Sequence, residues 1–245
     1  MMISGWNSRY SEIIKEFNYK KREDLASAKL LDSLLKNKNH IKKIQRLIKN
    51  QNVFVIGAGP SLSKAIPILR EYNKTVKIVA DSAVKHLIDN GISPDIIVTD
   101  LDGDEKTFRK IGRTKTIFVV HAHGDNISKL DLIENFKNCI GTTQTKPFGK
   151  LQNFGGFTDG DRSVFLASYF EAKKIVLFGM DFGKKIGTFS NTKVSERSIK
   201  LKKLRKGRFL LEWLAKKTKS ELFTTSSAIL GFKKIPYQKL DIIIT

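Results

Sequence analysis

Three carboxylates, Asp100, Asp102 and Asp104, stand at alternate positions just beyond the apolar run Ile96–Val98. That run has the β-branched composition of a buried strand, so the acids fall at its carboxyl end and in the loop that follows. Acids so spaced repel one another unless a cation sits among them. Carboxylate oxygens suit a hard ion such as Mg²⁺, usually shared with phosphate oxygens. The competing reading is a solvated acidic loop with Gly103 at its turn. In an open parallel α/β sheet, ligands bind at the carboxyl ends of the strands, so the neighbouring strand ends bear on the choice.

They too carry polar residues. Val53–Ile56 runs into Gly57-Ala-Gly59-Pro60-Ser61, a glycine turn and helix start that aim backbone N–H groups at an anion. No Gly-Lys-Ser/Thr follows, which excludes a Walker A loop, and the third glycine of the dinucleotide fingerprint is missing. Val76–Ala80 ends in Asp81-Ser82, and Thr116–Val120 in His121-Ala-His123-Gly-Asp125-Asn126. Ile175–Phe178 ends in Gly179-Met-Asp181. Gln144 lies in a polar loop, and Thr158, Asp159, Asp161 and Arg162 follow a glycine pair at a helix start. Each has an ordinary alternative: a helix cap for Asp81 or Ser61, a polar turn for the histidines, a helix N-terminus for Asp161 and Arg162, a closed turn for Asp181. Gathered on one sheet edge, they read as a metal-assisted phosphate site. His-x-His raises zinc, but without Cys ligands and amid carboxylates Mg²⁺ fits better.

The elements that must position these residues alternate between strand and helix. Helices are expected at Ser63–Tyr72, up to Asn90, near Glu105–Ile111, at Ser128–Lys137 and up to Tyr169, with a short strand at Cys139–Gly141. This predicts an α/β fold with a doubly wound, mostly parallel sheet flanked by helices and right-handed crossovers. The catalytic core is placed at 51–190. Residues 1–50 form an N-terminal helical appendage, in which Ser11 caps a helix carrying Ile13, Ile14 and Phe17. A second run has Leu25, Ala28, Leu31, Leu34 and Leu35, then Ile41, Ile44, Leu47 and Ile48. It reads as a packing or dimerisation element. Residues 191–245 form a basic C-terminal region whose Lys193–Lys219 stretch is a helix with a solvated Lys/Arg face, or a flap over triphosphate. Asp241–Thr245 is expected to add an edge strand.

Bulk properties narrow the class. A chain of 245 residues, 40% hydrophobic, buries a full core. One cysteine, Cys139, rules out an internal disulfide framework and a Cys-based zinc site and suits a reducing compartment. With no basic-then-apolar leader and no apolar run approaching ~20 residues, the expectation is a cytoplasmic protein without a membrane span. The net charge of +21 divides as +7 over residues 1–50 (12 basic, 5 acidic), +4 over 51–190 (19 and 15) and +10 over 191–245 (14 and 4). Basic ends attract any polyanion, but no zinc finger, RNP-type signature or aromatic-interleaved basic motif appears. A nucleic-acid partner also leaves the acids unexplained, and that reading ranks last.

Six segments occur in a familiar order: Gly57–Leu62, Ala80–Ser82, Pro94–Gly103, His121–Asn126, Gly155–Arg162 and Gly179–Phe182. Together they resemble the archaeal 6-hydroxymethyl-7,8-dihydropterin pyrophosphokinase family, once grouped as a domain of unknown function (type 115), over roughly residues 50–190. The Ala-Asp, Pro-Asp and Asp-Leu-Asp elements are also similar to thiamine pyrophosphokinase. The resemblance implies transfer of the β,γ-diphosphate of ATP to the hydroxymethyl oxygen of a reduced pterin, releasing AMP. It implies metal binding by Asp100 and Asp102, with Asp81 and Asp125 as further ligands and Asp125 as a candidate proton acceptor. Gly57, Gly59, Pro60 and Ser61 would face phosphates. His121, His123, Asn126, Thr158, Asp159, Asp161 and Arg162 would position nucleotide or pterin, and Ser82, Gln144 and Asp181 are read as further binding residues of the same site. Rival readings are a thiamine diphosphokinase and a sugar-nucleotide-dependent, glycosyltransferase-like enzyme.

Overall fold

The structure, a computed structural model, describes residues 3–36, 40–189 and 194–244. Helices α1 (Trp6–Phe17), α2 (Lys21–Leu34) and α3 (Ile41–Ile48) precede the first strand, β1 (Asn52–Ile56). Next come α4 (Leu62–Glu71), β2 (Val76–Ala80), α5 (Val84–Asp89), β3 (Ile96–Thr99), α6 (Glu105–Gly112) and β4 (Ile117–Ala122). After β5 (Cys139–Thr143), α7 (Asp159–Tyr169) and β6 (Lys174–Phe178), a long α8 (Arg197–Ala215) leads to β7 (Glu221–Thr224), β8 (Lys233–Lys234) and α9 (Asp241–Ile244).

Among the described residues these strands form one eight-stranded sheet in the order β5-β4-β3-β2-β1-β6-β7-β8. Every pairing is parallel. The chain winds outward from β1 to β5, then returns to place β6 on the other side of β1. The order therefore reverses between β1 and β6, and at such a reversal the adjoining loops diverge and leave a crevice. Helices cover both faces, so the central strands are buried nearly throughout. That is why they read as continuous apolar runs.

Successive side chains of a strand point to opposite faces, and the two hydrophobic clusters divide accordingly. Phe54 and Ile56 join one, Val53 and Val55 the other. The N-terminal helices are shared between them. Ala28, Leu31 and Leu35 enter the first cluster, while Trp6, Ile13, Ile44 and Ile48 enter the second. Trp6 meets Phe165 of α7 edge-on at 5.8 Å, and Phe165 stacks on Trp213 of α8 at 6.1 Å. Each fully buried large apolar side chain of this kind contributes about 1.5–3 kcal/mol, so these helices are held firmly beside the strand ends.

Three local expectations are corrected. Helix α1 begins at Trp6 after a left-handed Gly5, and Ser11 lies mid-helix with its hydroxyl donating to the Asn7 carbonyl at 3.0 Å. The stretch expected as an α-helix over Ser128–Lys137 belongs to a run of 3-10 turns, Gly124–Asn135. Its buried Leu130 and Ile133, followed by Phe136, recur every third residue, which is the 3-10 period. Asp241–Ile244 is a helical turn closed by Ile243 and Ile244 amides on the Leu240 carbonyl, and the sheet edge is made by β7 and β8. Lys193 and Thr245, the ends of two expected segments, lie outside the described residues.

Candidate functional site

Asp81, the first residue after β2, is 2% exposed. Its Oδ2 accepts hydrogen bonds from the Thr99 hydroxyl and from the Asp102 amide at 3.1 Å, while its Oδ1 has no partner. Asp100 follows β3 directly. The next residue, Leu101, has φ 70°, a left-handed conformation that costs a non-glycine residue about 1–3 kcal/mol. The site holds it there by burying its side chain and by hydrogen-bonding its amide to Thr99 Oγ1 at 2.7 Å. Asp159 is the first residue of α7, a helix that passes back across β1, β2 and β3 after the chain has left β5. One carboxylate oxygen each from Asp81, Asp100 and Asp159 lies within 4.8 Å of the others.

Other candidates lie outside this trio, with Asp102 and Asp125 lining the open volume over it. Asp102 is exposed and ion-paired with Lys129. Asp125 is exposed, its carboxylate 3.9 Å from His123 Nδ1. Asp104 caps α6, accepting the Thr107 amide at 2.8 Å. Asp161 is 1% exposed and receives the Phe157 and Thr158 amides at 2.6 and 2.8 Å, which fixes the loop that delivers Asp159.

Electrostatics set the trio's protonation. Burial, and after it repulsion from Asp100, raises the pKa of Asp81. Burial, Asp100 and Asp81 push Asp159 well above the usual carboxylate range. Burial would raise Asp100 too, but the His123 hydrogen bond and the charges of His123, Arg162 and Lys203 outweigh it and bring it down to about 2. Like charges this close cannot all ionise alone, and a bound cation reverses that balance.

The histidines play different parts. The Asp125 amide approaches His123 Nδ1 at 3.4 Å, and Nε2 donates to the ionised Asp100 Oδ2 at 3.2 Å. His121 is buried, bonded through Nδ1 to the Thr142 hydroxyl at 3.0 Å. Burial, then Arg162 and His123, holds its pKa well below the ordinary value. Asn126 ties these ends together. Its side-chain amide donates to the Asp100 and His121 carbonyls at 2.8 and 2.7 Å, and its oxygen accepts from the His123 amide at 3.1 Å.

At the β1–β6 crevice the glycine turn is already engaged with protein acceptors. The Gly57 and Gly59 amides donate to the Phe178 and Gly179 carbonyls at 2.9 and 2.7 Å. Ser61 donates both its amide and its hydroxyl to Asp181, which fills the start of α4. What this corner offers a ligand is a mainly apolar cavity among Ala58, Gly59, Pro60, Met180, Phe182 and Ile186. Ser82, Thr158 and Asp159 also line it. On the β3–β4 side a second cavity is lined by Tyr19, Asp24, His123, Gln144, Phe157 and Arg162. An open volume of about 400 Å³ over the trio lies between them.

Five of the buried polar atoms that lack a hydrogen-bond partner lie in this region: Asp81 Oδ1, Asp159 Oδ1 (3.6 Å from the Arg162 guanidinium), His121 Nε2, Gln144 Oε1 and Arg162 Nε. Such atoms are rare in folded proteins unless a ligand or ion completes them. Three carboxylates, two with buried oxygens that accept no hydrogen bond, form an oxygen-only donor set of the kind that fits Mg²⁺.

Sequence reasoning missed several contributors. Asp24 of α2 accepts from the Tyr10 hydroxyl at 2.7 Å and from the Gly124 amide at 3.0 Å. Ser27 bonds Asn126 at 3.1 Å. The only signal was an acid and a serine among the inward-facing positions of α2, with Ala28 and Leu31. Tyr19 and Phe157, 6.3 Å apart, flank the second cavity. No helix among the described residues is long and apolar enough to cross a membrane.

A doubly wound parallel sheet with clustered carboxylates between two strand-end cavities is the architecture of an α/β group-transfer enzyme. The chain belongs to the family described as 6-hydroxymethylpterin diphosphokinase MptE-like, which matches residues 28–187. It is 41% identical over 238 residues to the 6-hydroxymethyl-7,8-dihydropterin pyrophosphokinase of Methanocaldococcus jannaschii, covering 90% of this chain and 99% of that protein. A protein of the same name from Pyrococcus furiosus is 42% identical over 232 residues, 92% of this chain and all of its relative. The one from Methanothermobacter thermautotrophicus is 37% identical, covering 87% and 95%. Among solved structures, the MAf glycosyltransferase of Magnetospirillum magneticum AMB-1 shares the fold at a TM-score of 0.55 and 16% identity, over 78% of this chain and 34% of that one.

Proposed function

We propose that this protein transfers diphosphate from ATP to the hydroxymethyl oxygen of 6-hydroxymethyl-7,8-dihydropterin, releasing AMP. Family membership and the named relatives support the reaction. The observation that carries its placement is the convergence of Asp81, Asp100 and Asp159 between two cavities. The apolar β1–β6 cavity suits the nucleoside. The cavity beside Tyr19 and Phe157 suits a flat heterocycle, with Gln144 and Arg162 offering hydrogen bonds to its edge.

The new bond joins the acceptor oxygen to the β-phosphorus, and the bond from that phosphorus to the bridging oxygen of AMP breaks. The chain's task is chiefly to align these atoms and balance phosphate charge. Asp81, Asp100 and Asp159 would hold Mg²⁺, which when bound neutralises phosphate oxygens and withdraws electron density from phosphorus. His123 keeps Asp100 ionised and oriented through the Nε2 hydrogen bond. Asp125, exposed at the rim of the acceptor cavity, takes the hydroxyl proton.

The test is incubation with ATP, Mg²⁺ and the dihydropterin, with thiamine in a parallel tube, following nucleotides by chromatography. AMP formed with the pterin and abolished by EDTA is the expected result. AMP formed with thiamine alone would transfer the mechanism to another acceptor. No AMP with either would refute the reading.

A further inference from the structure

Helix α8 carries much of the chain's excess positive charge, and its cations are not equivalent. Lys202 donates to the Glu16 carbonyl at 2.6 Å, and Lys206 is ion-paired with the Glu16 carboxylate. These two bind α8 to α1. Lys200 and Lys203 lie further round the helix and have no carboxylate within ion-pair distance among the described residues. Lys200 lines the β1–β6 cavity and the volume over the trio. Lys203 lines both of these and the Tyr19–Phe157 cavity as well. Its side chain therefore stands where the two substrate spaces meet.

The fold fixes that position. Gly207 is buried against the loop before α7, where an added Cβ would stand 3.1 Å from Asp161 Oδ1 and 3.6 Å from Thr158 Oγ1. A side chain there would need the Asp161 carboxylate or the helix to give by a few tenths of an ångström. Lys203 lies one turn earlier on the same face of the helix and Lys200 almost two turns earlier, so the close approach at Gly207 brings both residues to the volume over the carboxylates. Lys203 rests with its ammonium 5.9 Å from the Tyr19 ring centre. It is near enough to Asp100 to help keep that acid ionised.

Resting on the diphosphokinase reading above, we propose that Lys203, assisted by Lys200, is a catalytic cation that grips the diphosphate in transit between the two cavities. Three carboxylates and a single divalent cation leave the site near neutral or negative, while a triphosphate brings several further negative charges. A mobile ammonium at the junction offsets them without occupying a carboxylate, and it can follow the group as it moves from nucleotide to acceptor.

The test uses the full chain with Lys203→Met, Lys203→Arg and Arg205→Met. Arg205 is exposed on the opposite side of α8 and removes the same charge from the helix. Binding of inorganic tripolyphosphate in Mg²⁺ is measured by calorimetry, and AMP formation with the dihydropterin by chromatography. Lys203→Met is expected to weaken tripolyphosphate binding about tenfold or more and to lower kcat about 100-fold, while Lys203→Arg recovers most of the binding. Arg205→Met should match the wild type in both. Equal losses in Lys203→Met and Arg205→Met would reduce the effect to the general field of the helix and overturn the proposal, as would unchanged binding in Lys203→Met. If the wild-type chain binds tripolyphosphate through Lys203 yet makes no AMP with the pterin, the acceptor assignment fails and the phosphate grip stands.

Discussion

Ser61 gives both its backbone N–H, at 2.9 Å, and its hydroxyl, at 2.7 Å, to a single carboxylate oxygen of Asp181. The start of α4, positively polarised and equipped with amides, thus carries a built-in anion. This pins the end of β1 to the loop after β6, across the line where the strand order reverses. Asp181→Ala should lower stability to denaturant by about 1 kcal/mol through loss of these bonds. It should also raise the KM for ATP more than it lowers kcat. An unchanged unfolding midpoint would show that the contact contributes nothing.

Gly103 lies against the open oxygen of Asp81. A Cβ there would stand 2.2 Å from Asp81 Oδ1 and 2.6 Å from Phe108 Cζ. Phe108 is buried and cannot yield, so the carboxylate must move. Gly103→Ala is expected to destabilise the protein by about 1–3 kcal/mol as an overpacked site; Mg²⁺ is expected to raise the melting temperature of the wild type and not that of the variant. A full Mg²⁺ response in Gly103→Ala would remove Asp81 from the metal set.

His121 supplies a pH test. Its folded pKa is held far below the ordinary value by burial, so below about 6.5 the unfolded chain takes up a proton that the folded chain refuses. Stability from this group is therefore complete above that range and is lost as pH falls through it. Asp81 and Asp159, whose pKa values are raised, act with the opposite sign, so the informative quantity is a difference between proteins. Between about pH 7.5 and 5.5 the wild type should lose more melting temperature than His121→Gln. Equal losses would mean that His121 becomes charged within the fold.

Much of this was legible in the sequence where the causes are local. The strands β1 to β4 and β6 announce themselves because helices on both faces demand continuous apolar runs, and their ends follow from composition. The edge strand β5 was also legible, but β7 and β8 at the other edge were not, since β8 is two exposed lysines, and Asp241–Ile244 has strand-like residues that close a helical turn. Asp81 and Asp100 were visible as acids at strand ends. Asp159 was visible only as a residue near a helix start, because its place beside them depends on α7 recrossing the sheet, a long-range event. Asp102 and Asp125 carry equally suggestive spacing and line the volume over the trio, but both are exposed, and Asp102 is ion-paired with Lys129. Lys203 sat within a charge run whose useful face is chosen by Gly207 and Glu16, neither of which signals that role in one dimension.

The central claim is that Asp81, Asp100 and Asp159, rather than the sequence-adjacent Asp102, form the charged centre of diphosphate transfer. Steady-state AMP formation from ATP and 6-hydroxymethyl-7,8-dihydropterin, compared for Asp159→Asn and Asp102→Asn, tests it most directly. Asp159→Asn should lose about 1,000-fold in turnover, roughly 4 kcal/mol of barrier. Asp102→Asn should stay within about tenfold of the wild type, because its carboxylate is exposed and held by Lys129. A nearly active Asp159→Asn beside an inactive Asp102→Asn would contradict the account and return the metal to the loop.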